Sequence, residues 1–315
     1  MSRIFDALQR SGTEQSGIAY PDMVSVATEV FEAPGREGSS DQAVTDQPPT
    51  SPTPVVQLQL TEALAQEGER EDQFLAEFPS VEVRVAPLSR LVYFTEPDGL
   101  AAEKFRFLGV RLRQLQQNRL LKKVLVTSTI PKEGKSLVSA NLAGVLAQRK
   151  QNVLLLEGDL RQPVLAQQFG LGRVAGLGEW LQSGLRTASN IYHLGTLGFW
   201  LMPAGDPSAN PIELMQSGRL SELMGQLGTM FDWIIVDSPP LLPLADATVW
   251  ARLTDGILLV AREGKTEKAQ LQHGLEILKK SDLLGVVLNG CISPNVKNYY
   301  QRYAAPRTNG IRPQS

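Results

Sequence analysis

The sequence predicts a doubly wound α/β domain built on a mostly parallel sheet. Three observations predict it. Short apolar runs alternate with helical stretches between about residues 90 and 295. These runs are continuous and flanked by polar turns, which is typical of strands buried on both faces. Finally, the first run leads directly into the loop TIPKEGKS and then into a helix.

The charge divides the 315-residue chain into two unlike parts. Residues 1–90 carry 15 acidic residues, six arginines and no lysine, whereas residues 91–315 carry 18 acidic and 25 basic residues. The first part is rich in Gly, Pro, Ser and Gln, so it buries too little apolar surface to offset its ordering entropy. We predict a mostly disordered acidic region with short helical islands over 1–90, the α/β domain over 91–295 and a flexible tail over 296–315.

Several functional classes are excluded by composition. The single cysteine, Cys291, permits neither an internal disulfide nor a thiolate metal cluster, and two histidines are too few for a His-rich metal site. No apolar run approaches the roughly 18 residues that a membrane span needs, and the N-terminus does not read as a secretory signal. We therefore expect a cytoplasmic protein.

The elements of the predicted domain follow in order. A basic helix is expected over 101–119, followed by strands at KVLVTST, NVLLLEGD, WIIVDSPP, GILLVAR and LGVVLNG. Two further short strands are expected at Ile191–Leu194 and Phe199–Met202. Strands that alternate with helices imply right-handed crossovers and a parallel sheet. The basic stretch lacks the regular interleaving of aromatic residues that single-strand binders use, so we expect no nucleic-acid partner.

The loop after the first strand carries the strongest chemical signal. Strand, Gly-Lys-Ser loop and helix occur in the order that a phosphate-binding loop requires, although Thr129 replaces the first glycine of the usual pattern. Backbone N–H groups of such a loop favour phosphate. Lys135 would reach the β- and γ-phosphates, and the Ser136 hydroxyl would ligate Mg²⁺. The expected nucleotide-binding residues are Pro131, Lys132, Glu133, Gly134, Lys135, Ser136 and Leu137.

Acidic residues follow two other predicted strands. Glu157 and Asp159 emerge at the end of the second strand, and Asp237 ends the run WIIVD. Open parallel sheets bind ligands at this edge. We expect Glu157, Asp159 and Asp237 to act with Lys135 in catalysis, and Asp159, Asp237 and Ser136 to hold the metal. Asp246, at the start of the next helix, is equally compatible with a helix cap and with a site role.

The C-terminal tail holds three of the six tyrosines. Tyr299, Tyr300 and Tyr303 fall within NYYQRY, in polar and basic surroundings that do not suit core packing. Either the tail lies along the domain surface, or it offers mobile phenol hydroxyls as phosphoacceptors.

In these segments together the chain resembles the bacterial tyrosine kinases of capsule and exopolysaccharide synthesis, within the MinD/ParA-like P-loop ATPases. The segments are TSTIPKEGKS, LLLEGDLRQP, GLGEWLQSG, LMPAGDPSANPIELM, FDWIIVDSPPLLPLADA, TDGILLVAREGKT and the terminal tyrosines. The resemblance implies an ATP- and Mg²⁺-dependent autokinase that phosphorylates its own Tyr299, Tyr300 and Tyr303 within a homo-oligomer. It also implies a transmembrane polysaccharide co-polymerase as activator, recruitment to the inner face of the membrane, and a protein-tyrosine phosphatase as counterpart.

Two positions depart from the family pattern. Glu157 stands where the family usually has Asp, and the added methylene would move the carboxylate by ~1.5 Å. Gly109 stands where the family's E-x-x-R-x-x-R oligomer motif, here starting Glu103 and Arg106, has its last arginine. Two alternatives stay open at this point: a MinD/ParA-like ATPase switch, and a nucleotide-binding scaffold without kinase activity.

Overall fold

The computed structural model describes residues 75, 77–83, 85, 90–148, 150–183, 190–207 and 210–291. The strands are β1 Ser80–Val81, β2 Lys123–Ser128, β3 Val153–Glu157, β4 Tyr192–Leu194, β5 Phe199–Met202, β6 Trp233–Asp237, β7 Gly256–Arg262 and β8 Leu283–Asn289. The helices are α1 Val92–Thr95, α2 Leu100–Asn118, α3 Lys135–Ala147, α4 Leu165–Gln168, α5 Leu177–Ser183, α6 Pro211–Gln216, α7 Arg219–Met230, α8 Asp246–Ala251 and α9 Lys268–Ile277, followed by a 3₁₀ turn at Leu278–Lys280.

The eight strands form one sheet in the order β1-β4-β5-β3-β6-β2-β7-β8. Every neighbouring pair is parallel except β4 and β5. The central strands β2, β3 and β6 are buried almost throughout, because helices cover both faces of the sheet. The predicted mostly parallel α/β fold is thereby confirmed. Since the parallel strands end at one edge, the loops after β2, β3 and β6 lie side by side.

The sheet begins earlier in the chain than the sequence suggested. Ser80–Val81 pairs with β4 as an edge strand, and Leu75, Phe78 and Val83 are buried in the core. The predicted boundary at residue 90 therefore moves towards the N-terminus. Val81, Val83 and Val85 alternate with the charged Glu82 and Arg84, a strand-like period of two that is hidden within a segment of otherwise disordered composition. The position of the strand is set by pairing with β4. Within the predicted acidic region, residues 1–74, 76, 84 and 86–89 lie outside the described residues.

Gly109 is a packing residue between two helices. A Cβ at this position would lie 2.5 Å from Val145 Cγ1 of α3, so α2 approaches α3 closely only because residue 109 has no side chain. The two other residues of the oligomer motif form an ion pair with each other, with Arg106 Nη1 2.8 Å from Glu103 Oε2. An arginine at position 109 would not fit this helix contact.

Candidate phosphoryl-transfer site

The loop between β2 and α3 is strongly curved. Lys132 and Gly134 both adopt left-handed backbone conformations, with φ of 65° and 100°. Gly134 is the N-cap of α3, and Lys135 is the first residue of that helix. The backbone N–H groups at the helix start have no partner within the helix, so the loop presents donors where an anion would bind.

Lys135 and Asp159 lie together across the site. Lys135 Nζ is 3.5 Å from Asp159 Oδ2, and both side chains are largely buried. The other oxygen, Asp159 Oδ1, accepts hydrogen bonds from the backbone N–H groups of Arg161 (3.3 Å) and Gln162 (3.0 Å). One oxygen is therefore fixed by the turn, and the other faces the lysine.

Asp237 is buried at the end of β6, which lies between β2 and β3. Its Oδ1 accepts a hydrogen bond from Ser139 Oγ at 3.2 Å, whereas its Oδ2 is buried without a hydrogen-bond partner among the described residues. Burial raises the pKa of Asp237 from 3.8 to about 6, and the Lys135 cation and Ser136 hydroxyl lower that pKa less than burial raises it. An unsatisfied buried carboxylate oxygen is costly unless a ligand completes it.

Glu157 has a different environment although it pairs in register with Asp237. Its Oε1 accepts the backbone N–H groups of Val164 and Leu165, and its Oε2 accepts that of Ala204 at 3.1 Å. Burial raises its pKa, and these three bonds oppose the shift. A metal or a substrate proton would have to displace backbone donors, so this geometry argues against the catalytic role that the sequence suggested for Glu157.

The residues present fit a magnesium ion only if the nucleotide supplies ligands as well. No group of three or more His, Cys, Asp or Glu side chains in the described ranges could hold a metal. Asp237 Oδ2 offers one free oxygen, and the Ser136 hydroxyl lies close enough to Asp237 to lower its pKa. Mg²⁺ usually takes one or two protein oxygens together with waters and phosphates, which agrees with so small a donor set.

The side chains of the remaining predicted nucleotide-binding residues differ in their burial and contacts. Glu133 is buried, and its carboxylate accepts hydrogen bonds from Thr129 Oγ1, Ile130 N–H and Thr266 Oγ1. Pro131 and Lys132 are exposed. Leu137 is partly buried and packs against the core. The side chain of Glu133 therefore braces the loop from inside.

Sequence reasoning missed Arg161, and the structure decides between the two roles that the sequence left open for Asp246. Arg161 binds the buried Asp246 through two hydrogen bonds, Nε to Oδ2 at 2.7 Å and Nη2 to Oδ1 at 3.2 Å. Asp246 thus does not cap its helix; it anchors the turn that carries Asp159. The spacing of Asp159 and Arg161 along the turn was visible, but Asp246, the partner of Arg161 85 residues away, was not.

The three predicted phosphoacceptors Tyr299, Tyr300 and Tyr303 lie outside the described residues. Across the described part of the chain, none of the helices has the length and apolarity to cross a membrane.

Fold and site together define a P-loop α/β domain, and comparison with known proteins identifies its family. The chain is 38% identical over 207 residues to the tyrosine-protein kinase YwqD of Bacillus subtilis, covering 64% of this chain and 85% of YwqD. It is 32% identical to the tyrosine-protein kinase Etk of Escherichia coli K12, covering 62% of this chain. A solved structure of the E. coli ETK kinase domain superposes with a TM-score of 0.63 at 30% identity, covering 65% of this chain and 81% of that domain.

The chain therefore belongs to the family of bacterial tyrosine-protein kinases, as the sequence motifs predicted. A search with protein-family profiles found no match. The matched region spans only 27% of Etk, and similarly small shares of several other long relatives. The kinase interpretation is supported over the ATPase switch and the scaffold.

Proposed function

We propose that the protein is an ATP-dependent tyrosine autokinase that phosphorylates its own C-terminal tyrosines and thereby regulates capsule or exopolysaccharide synthesis. One observation carries the proposal beyond family membership. β8 ends at Asn289, whose amide Nδ2 donates to the Glu133 carbonyl of the phosphate loop at 2.8 Å. The described part of the chain therefore ends beside the phosphate loop, two residues after Asn289.

The chain length allows these tyrosines to reach such a site. Tyr299, Tyr300 and Tyr303 follow Cys291 by 8, 9 and 12 residues. Eight residues span at most about 29 Å when fully extended. A phenol hydroxyl of this tail can thus approach the loop of its own or of a neighbouring subunit, and we propose transfer between subunits of a homo-oligomer.

Each site residue receives a proposed role in phosphoryl transfer. Lys135 and the N–H groups at the start of α3 bind and orient the phosphates of ATP. The bond between the γ-phosphorus and the bridging oxygen of ADP breaks as the tyrosine oxygen bonds to phosphorus. Asp159 Oδ2 takes the phenol proton, because the turn fixes its other oxygen. ADP and phosphotyrosine are the products.

Ser136 and Asp237 are the proposed metal ligands. Mg²⁺ bound there would neutralise charge that develops on the phosphate oxygens. Asp237 must be ionised to bind a cation, and its raised pKa keeps part of it protonated near pH 6. Ser139 and Ser136 orient the carboxylate from the α3 side.

The family also suggests partners. We propose a transmembrane polysaccharide co-polymerase as activator, recruitment of the kinase to the inner face of the membrane, and a protein-tyrosine phosphatase that reverses the modification. These proposals rest on the capsule and exopolysaccharide systems that the resemblance implies.

Incubation of the purified protein with Mg-ATP, followed by mass spectrometry of tail peptides, tests the kinase activity. We expect phosphate on at least one of Tyr299, Tyr300 and Tyr303, and none in Lys135→Met, which lacks the phosphate-binding cation. If the wild type, with a co-polymerase partner present, is labelled no more than Lys135→Met, the proposal is wrong. ATP hydrolysis without tyrosine labelling would instead favour an ATPase switch.

A mixture of two variants tests transfer between subunits. Lys135→Met supplies an intact tail without activity, and a variant with Phe at positions 299, 300 and 303 supplies activity without acceptors. Phosphate on the Lys135→Met chain supports transfer in trans. If the wild type is labelled but the mixture is not, transfer is confined to one chain.

A further inference from the structure

Three consecutive carbonyl groups of the phosphate loop are held by side chains from the neighbouring strand ends. Lys265 Nζ donates to the Pro131 oxygen at 2.7 Å, and Arg262 Nη1 donates to the Lys132 oxygen at 3.3 Å. Asn289 Nδ2 donates to the Glu133 oxygen at 2.8 Å. Arg262 ends β7, Lys265 lies in the turn that follows it, and Asn289 ends β8, so all three donors come from the same side of the loop.

These bonds fix the direction of the N–H groups that follow each carbonyl. The described residues contain no cis peptide bond, and in a trans peptide the C=O and N–H point in opposite directions. The N–H groups of Lys132, Glu133 and Gly134 are therefore turned away from the three donors. Lys132 and Gly134 have left-handed backbone conformations, and Glu133 between them does not. Such alternation of backbone conformation gathers successive N–H groups into an anion-binding concavity.

The same turn also binds the loop through the side chain of Glu133. Its buried carboxylate accepts hydrogen bonds from Thr266 Oγ1, beside Lys265, and from Thr129 Oγ1 at the start of the loop. Both the carbonyl and the carboxylate of this residue are thus anchored. A rotation of the peptide between Glu133 and Gly134 would break the bond to Asn289.

Asn289 also packs against Gly134. A Cβ at position 134 would collide with the Asn289 amide, so the glycine allows both the left-handed turn and this close approach. The contact places a hydrogen-bond donor directly behind the peptide between Glu133 and Gly134.

We propose that Arg262, Lys265 and Asn289 are positioning residues that hold the phosphate loop in its anion-binding shape before nucleotide arrives. Pre-organisation of this kind strengthens binding by removing the cost of ordering the loop on ligand entry. The proposal rests on the proposed function, because it concerns the phosphates of the same ATP. None of the three side chains needs to touch the nucleotide for it to hold.

The direct test is Asn289→Asp, which replaces the amide donor with a carboxylate that repels the Glu133 carbonyl. Affinity is measured for Mg-ADP carrying a fluorescent ribose label, and for Mg-tripolyphosphate by competition. We expect both affinities to fall by about tenfold, since one hydrogen bond is lost and the loop must be ordered by the ligand. An equal loss for the base-free polyphosphate assigns the effect to the phosphates.

Lys265→Ala and Lys265→Arg provide a second pair whose folding is not at risk, because Lys265 is exposed. Lys265→Ala is expected to lower the affinity for both ligands by a few fold. Lys265→Arg, which keeps a donor, is expected to retain the wild-type affinity. Lys280→Ala removes an exposed lysine on the turn after α9 and is the matched control. If these variants unfold at the wild-type temperature, a change in their affinity does not come from loss of the fold.

Two results would overturn the proposal. One is unchanged tripolyphosphate affinity in both Asn289→Asp and Lys265→Ala. The other is a loss confined to Mg-ADP, which would place Asn289 against the nucleoside. If the wild type binds neither ligand, the proposed function fails instead, so the two failures are distinguishable.

Discussion

The carboxyl ends of β3 and β6 show how one sheet edge uses two buried acids differently. Glu157 and Asp237 are register partners on adjacent strands, and both are buried. Three backbone N–H groups satisfy both oxygens of Glu157. Asp237 has one oxygen bonded to Ser139 and one oxygen without a partner in the described part of the chain.

The difference separates a residue that holds the fold together from one that is available to a ligand. The carboxylate of Glu157 links the start of α4 to the segment after β5. Backbone N–H groups of the protein therefore already satisfy both of its oxygens. Asp237 retains a buried oxygen without a hydrogen-bond partner among the described residues, and Lys135 and Ser136 offset the cost of burying this carboxylate only in part. Such a residual cost is typical of a group that binds a ligand. The variants below are ordered from the largest expected effect to the smallest.

Asp237→Asn is expected to abolish tail phosphorylation, by about 10³-fold or more, while making the apo protein more stable. The pKa of this acid is raised from 3.8 to about 6 in the folded state. Its ionisation therefore costs stability progressively as the pH rises from about 4 to 6, and the full cost remains above pH 6. Asparagine removes that cost, on the order of 3 kcal/mol.

Urea unfolding at pH 4 and pH 8 checks the stability half of this prediction. The increase in the free energy of unfolding caused by Asp237→Asn should be present at pH 8 and small at pH 4. The exposed control Glu276→Gln should change the free energy of unfolding little at either pH. An asparagine variant that is less stable than wild type at pH 8 would show that Asp237 is satisfied in the apo protein.

Asp159→Asn is expected to slow tyrosine phosphorylation by 10²–10³-fold, the usual contribution of a general base. The amide keeps an oxygen for the N–H groups of Arg161 and Gln162, so the turn and the nucleotide affinity should persist. Single-turnover kinetics with saturating Mg-ATP would measure the step directly. If the variant transfers phosphate at the wild-type rate, Asp159 is not the general base.

Glu157→Gln is expected to lower stability by about 2 kcal/mol, because the new amide group faces a backbone N–H donor. Residual phosphorylation per folded molecule should stay within a few fold of wild type. Glu157→Asp is the informative companion: the shorter side chain keeps the charge but no longer reaches both backbone segments, so it should be destabilised as well. Loss of tyrosine phosphorylation without loss of stability would instead support a catalytic role for Glu157.

Gly158→Ala tests the connection between the two strand ends. Gly158 N–H donates to the Asp237 carbonyl at 2.7 Å, and a Cβ here would lie 2.7 Å from the Trp250 ring. We expect a loss of 1–3 kcal/mol from overpacking, with smaller effects on rate. Thermal unfolding monitored by tryptophan fluorescence measures it, and an unchanged midpoint would contradict the tight packing.

Much of the fold was predictable, since strands buried on both faces leave uninterrupted apolar runs such as those of β3 and β7. The phosphate loop and the strand-end acids were predictable for the same reason: they occupy fixed places after strands. The edge strand Ser80–Val81 was missed because the composition of residues 1–90 as a whole favours disorder, and this masked the short alternation of Val81, Val83 and Val85 with charged residues.

Side-chain roles were harder to predict than positions. Glu157 was expected to be catalytic and Asp246 was a candidate for the site, yet each is bound by groups that the folded chain brings near. Asn289, Arg262 and Lys265 gave no signal, because their task is to donate to carbonyls of a loop more than 100 residues earlier. Local patterns identify where a residue lies but not which hydrogen bonds it makes.

The most direct test compares tail phosphorylation in Asp237→Asn and Glu157→Gln by mass spectrometry after incubation with Mg-ATP under identical conditions. We predict phosphate on Tyr299, Tyr300 or Tyr303 in wild type and Glu157→Gln, and none in Asp237→Asn despite its greater stability. Equal labelling of the two variants, or loss of labelling in a fully folded Glu157→Gln alone, would contradict the distinction between the two strand ends.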